Sequence, residues 1–190
     1  MTSILKVDNI QKANGSTPTV GDLGINTTGN VLQVVATTVT SAAITAANAF
    51  NSFAEIQTDY RCTIVPKASN SFLLLDCQFC FNQHAGTQGF IQHFKYYDVT
   101  NSADVFVGDA LGSRNRSTMV SRSSHADNND PDSIHMRAYI PAVSTTSRTY
   151  TPYMHCEQTG GEFDFGRSDS DGSGFQWTTP YLFTITEIGG

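Results

Sequence analysis

Residues 133–141, SIHMRAYIP, set Ile134, Met136, Ala138 and Ile140 in alternation with His135, Arg137 and Tyr139. Side chains alternate across a strand but repeat every 3.6 residues around a helix, so this order makes one apolar face only if the segment is extended. The same β-branched and aromatic enrichment recurs in YRCTIVP, GFIQHFKYYDV, ADVFVGDA, SRTYTPYMHC and YLFTITEI. Between these runs stand PKASNS, NQHAGTQG, DVTNSA, DNNDPD, QTGG and SDSDGSG, rich in the residues that make turns. Many short strands with frequent turns predict an all-β chain, an antiparallel β-sandwich of jelly-roll type. The alanines of SAAITAANAF are the one argument for a helix, and Thr40, Thr45, Asn48 and Asn51 around them favour extended or turn structure.

A chain of 190 residues is large enough for one β-domain with a real core, and no second large domain fits. Residues 1–30 differ from the rest. Ile4, Leu5, Val7 and Ile10 precede a stretch rich in Gly, Pro, Ser and Thr, too sparse in apolar side chains to fold alone. We expect residues 1–30 to form an extended attachment segment and residues 31–190 the β-domain. The four apolar side chains then pair with other copies or dock on a partner.

Charged residues make up 15% of the chain, whereas Ser, Thr and Asn together number 53. The surface is therefore hydroxyl- and amide-rich, which serves solubility or hydrogen bonding to sugars and protein surfaces. A net charge of −6 argues against nucleic-acid binding, since neutralising phosphates needs a basic face. No apolar run reaches the roughly 18 residues of a membrane span, and the first residues lack the pattern of a secretion signal. Synthesis in a cytosol, with release by a route such as host lysis, is expected.

The spacing of Cys77 and Cys80 in FLLLDCQFCFNQ looks like half of a zinc site. The run also reads as a strand, which sends the two thiols to opposite faces, and no second such pair exists. Cys62, Cys77, Cys80 and Cys156 are read as thiols filling small core spaces, and no metal or cofactor is expected. Asp169 and Asp171 ahead of Gly172 resemble the start of a calcium loop but lack its later acid; turn formation accounts for the same letters. His84, His93, His125, His135 and His155 are scattered, and no nucleophile elbow, zinc-protease motif or phosphate loop occurs. Acids such as Glu157, Glu162 and Asp164 could form a glycosidase pair, but sequence proximity does not establish the carboxylate separation such catalysis needs. The chain is not expected to be an enzyme.

The segment GDALGSRNRSTMVSR, residues 108–122, carries three cations, Arg114, Arg116 and Arg122, with Asp109 before them and Asp127 and Asp130 after. It reads as a surface loop between two strands, with Gly108 and Gly112 releasing the backbone to turn. Local pairing of these charges in a solvated loop is expected. Asp109 and the arginines are also the candidate contact residues, either bridging subunits or reaching a carboxylate-bearing glycan.

Taken together, SILKVDNIQKANGS, INTTGNVLQVV, IVPKASNSFLLL, VFVGDALGSRNRSTMVSRSS and YLFTITEIGG resemble a family of structural proteins of tailed bacteriophages, particularly those of marine bacteria and cyanobacteria. The resemblance spans nearly the whole chain. It matches Leu5, Lys6, Val7, Asp8 and Ile10 to the amino-terminal motif and residues 31–35 to the start of the β-domain. Gly108, Asp109, Gly112, Ser113 and Arg114 fall on the central loop, and Ile185, Glu187 and Ile188 on the terminal strand. It implies a homotrimeric jelly-roll knob at the virion surface, a tail fibre or appendage joined to other virion proteins through its amino terminus and facing a host glycan or protein. A head decoration protein that stabilises the shell is the alternative. SAAITAANAF and the cysteine pair depart from the family pattern.

Overall fold

A computed structural model describes residues 11–18, 28–40, 44–47, 52–85, 91–122, 131–157, 162–168 and 177–190, without side chains at 44–47, 84, 85 and 162. Ile4, Leu5, Val7 and Ile10, and the Asp169 and Asp171 turn, lie outside the described residues. The strands are β1 (Val31–Val39), β2 (Ile44–Ala47), β3 (Ala54–Glu55), β4 (Cys62–Ile64), β5 (Phe72–Ala85), β6 (Ile91–Asp98), β7 (Ala103–Val105), β8 (Met119–Arg122), β9 (Asp132–Pro141), β10 (Arg148–Cys156), β11 (Glu162–Phe165) and β12 (Tyr181–Ile188). A 3-10 turn, Thr58–Tyr60, separates β3 from β4. The alanine-rich stretch contributes β2, so its threonine and asparagine neighbours prevailed over alanine's helix preference.

Strand pairing merges the twelve strands into eight rows. β11 and β12 lie end to end along one side of β5, opposite 81–85 and 72–78 respectively. β1 and β2 continue along the far side of that row. In the same way β3 and β4 share one side of β10, and β7 and β8 share one side of β6. Numbering rows in chain order, the first sheet runs 1-8-3-6, with β9 as row 6 against β5. The second runs 2-7-4-5. All pairs are antiparallel, and this row order is that of a jelly roll, a sandwich of two interlocked Greek keys.

The period of two decides what each strand buries. In β9, Ile134, Met136 and Ala138 enter the core while His135, Arg137 and Tyr139 face out. In β5, Leu73, Leu75, Cys77, Phe79 and Phe81 enter, and Cys80 lies on the other face from Cys77, as the alternation requires. Phe94, Phe163, Phe165 and Phe183 fill the space between the sheets. Two buried tyrosines tie the sheets by hydroxyl donation. Tyr96 on β6 donates to the Met136 carbonyl at 2.8 Å, and Tyr181 on β12 donates to the Tyr60 carbonyl at 2.8 Å while its ring stacks on Tyr60.

Two buried carboxylates fasten the loops at one end. Glu187, inward on β12, accepts from the Lys67 and Ala68 backbone N–H groups, the Ser71 hydroxyl and the Gln33 amide at 2.6–3.1 Å. Asp98 accepts from Arg148 and from Asn101. Burial works against both charged forms, but these donors outweigh it and hold both carboxyls below their ordinary values. No helix among the described residues is long and apolar enough to cross a membrane.

Candidate functional site

Row 5 is interrupted. β7 pairs with residues 96–98 of β6 and β8 with residues 91–94, so residues 106–118 leave the ladder and return to it almost at the point of departure. The base is closed where the Thr118 N–H donates to the Phe94 carbonyl at 2.8 Å and the Thr118 hydroxyl to the Phe106 carbonyl at 3.0 Å. Farther out, the Gly108 N–H donates to the Ser117 carbonyl and Arg116 Nε donates back to the Gly108 carbonyl at 2.6 Å. At the tip, Gly112 has φ +61°, in the left-handed region, and Arg114 Nη1 donates to the Leu111 carbonyl. Gly108 lies outside the left-handed region, contrary to the expectation for it; it contributes its N–H and its carbonyl to the two bonds just named.

Asp109, Arg114 and Arg116 are all exposed on this excursion. Among the described residues no carboxylate lies within ion-pair distance of Arg114 or Arg116; Asp127 and Asp130, two of the acids expected to pair with these arginines, lie outside the described residues. Both guanidiniums spend only single hydrogen bonds on loop carbonyls, which leaves most of their donors for another molecule. Arg122 is not in the loop; it ends β8 across from Ile91. The structure thus brings Asp109, Arg114 and Arg116 onto one protrusion and sets Arg122 apart.

Sequence reasoning missed two residues of this protrusion. Phe106 is 56% exposed and Leu111 64%, and Phe106 adopts φ +53°, a conformation uncommon for a side-chain-bearing residue. The core has no use for either side chain. The signal available was that alternation in ADVFVGDA stops at Val105, leaving an aromatic residue in a turn. Exposed aromatic, aliphatic and arginine side chains on one loop have the composition of a protein contact.

The side chain of Glu162, one of the acids considered for glycoside hydrolysis, lies outside the described residues. Glu157 pairs with His93 at 2.9 Å beside the second sheet, and Asp164 is buried on β11 in the first, near Arg167. A cleft of about 320 Å³ on the outer side of the first sheet is lined by Gln78, Cys80, Ser133, His135, Thr179 and Pro180, with no carboxylate among its lining residues. Tyr96 is in the core, and Tyr97 stacks on Tyr153 at 4.3 Å on the outer side of the second sheet.

No protein-family model and no curated protein matches the chain. Among solved structures, that of infectious bursal disease virus, Gx strain, is similar over 84% of this chain at 11% identity with a TM-score of 0.35, and the match spans 43% of that chain. The jelly-roll assignment therefore rests on the row order of this chain itself.

Proposed function

We propose that this protein is a structural component of a virion surface, a non-enzymatic jelly-roll knob whose excursion at residues 106–118 contacts another protein or a host glycan. The observation that carries the reading is the excursion: two apolar side chains and two guanidiniums with no ion-pair partner among the described residues, on a loop that the fold does not need. The resemblance to tailed-phage appendage proteins supplies the setting. In it, a homotrimer is held to other virion proteins through Ile4, Leu5, Val7 and Ile10, and the knob faces the host.

A head decoration protein is the second reading, favoured by the described residues, whose strands form one sandwich with no shaft. Electron microscopy of particles with a label fused to the protein separates the two. Label at the tail supports the fibre, label over the shell supports decoration, and its absence from purified particles overturns both. Replacing Arg114 and Arg116 by Ala tests the contact: it is expected to reduce binding to host cells, or to the neighbouring virion protein, by at least about tenfold.

A further inference from the structure

Antiparallel sandwiches bury one face of each sheet and leave the other polar. The outer face of the first sheet departs from this over half its length. Register carries one line of side chains across all four rows: Val34, Thr186, Leu74 and Tyr139. The adjacent line is Val31, Ile188, Phe72 and Pro141. Seven of these eight residues are apolar and none is charged. Val31, Val34 and Tyr139 are 61%, 58% and 47% exposed, and Tyr139 stacks on Phe72 at 4.9 Å. The next line, Ala36, Thr184, Asp76 and Arg137, begins a polar half in which Asp76 accepts from both Arg137 and His135.

The end loops extend the apolar half. Val65 and Val143 are both exposed, and Val143 holds φ +56°, costly for a β-branched residue. Exposed apolar groups therefore stand at both edges of one face, Val31 and Val34 on row 1 and Tyr139 on row 6.

We infer that copies of this chain pack on one another through this face, a deepening that rests on the homotrimer reading above. Charge selects the occupant. The two lines offer nothing to an anionic glycan, a nucleic acid or a charged peptide, whereas a second neutral, aromatic-centred face matches them. Area sets the extent. The apolar half, four rows about 4.8 Å apart over roughly four residues rising about 3.3 Å each, projects to roughly 250 Å², so the roughly 600–800 Å² per partner of a weak to standard interface takes in the adjoining loops and part of the polar half as well.

The test uses the full chain in light scattering over a concentration series, with Val34→Glu/Tyr139→Glu and, as a control on the other sheet, Thr63→Lys. The double variant is expected to weaken self-association on the order of 100-fold, and the control to leave it unchanged. A photo-cross-linking residue at position 139 keeps the question answerable if the double variant fails to fold: it is expected to join two copies. A wild-type chain that stays monomeric at every concentration overturns the homotrimer and this surface together. A wild-type oligomer that survives the double substitution, or that gives no cross-link between copies from position 139, overturns the surface alone. A cross-link from position 139 into residues 1–10 of the same chain assigns the face to that segment and overturns the inference as well.

Discussion

The outer faces of the two sheets have solved the same problem in opposite ways. On the second sheet, polar and aromatic side chains find partners within the chain. Lys95 lies over the Phe53 ring at 3.9 Å and reaches Asp104 at 2.6 Å, His93 reaches Glu157, Tyr97 stacks on Tyr153, and Arg61 forks onto Glu55. The apolar half of the first sheet has no such cover among the described residues. A face completed by its own chain contributes to the stability of the monomer; a face left apolar contributes only when another surface arrives. The difference separates what holds this fold together from what it offers outward.

Breaking the inner support of the apolar half is expected to have the largest effect. Glu187→Ala leaves the Lys67 and Ala68 N–H groups, the Ser71 hydroxyl and the Gln33 amide without their acceptor, and is expected to cost about 3 kcal/mol in urea unfolding. An undiminished midpoint would mean that the 65–71 loop does not depend on this carboxylate. Lys95→Ala removes the buried partner of a half-exposed ion pair with Asp104, together with its contact over the Phe53 ring, and is expected to cost about 1 kcal/mol. If it costs no more than Thr63→Lys, the second face is not held by its own pairs.

A pH series sharpens the same contrast. Glu187 and Asp98 are held below their ordinary values, so the unfolded chain binds protons first. Their stabilisation is complete above the ordinary carboxylate range and is lost as pH falls through the lowered values. Melting temperature is expected to fall on acidification below that range, and less steeply in Glu187→Gln. A profile identical in wild type and variant would remove Glu187 from the account. The smallest effect is expected from Arg114→Ala/Arg116→Ala, which should leave the melting temperature unchanged because neither side chain supports the core; a clear drop would make the excursion part of the scaffold.

Much of the fold was legible because burial imposes a period of two. The alternation in SIHMRAYIP gave β9 its inward residues, and the separation of Cys77 from Cys80 followed from the same count. The row order was not legible, because it depends on which strands meet across long separations, as when residues 162–165 and 181–188 both find β5. The loop was located by its glycines and arginines, but Phe106 was passed over, because the break in alternation after Val105 that marks it is equally read as a strand running on. Leu74 shows the same limit. In FLLLD it breaks the alternation between Leu73 and Leu75, and only the register with Thr186 and Tyr139 turns that irregularity into a surface.

The closure of residues 106–118 at their base has a consequence for how such a protein changes over generations. The ladder of row 5 resumes at Thr118 as if little had intervened, so insertions, deletions and replacements there leave the core pairs of β6 untouched. Doubling the length of a flexible excursion adds only about 0.6 kcal/mol of closure entropy. That position is a socket in which new recognition sequences can be tried at small risk to folding, and for the same reason it is where a foreign peptide should be grafted if the knob is used for display.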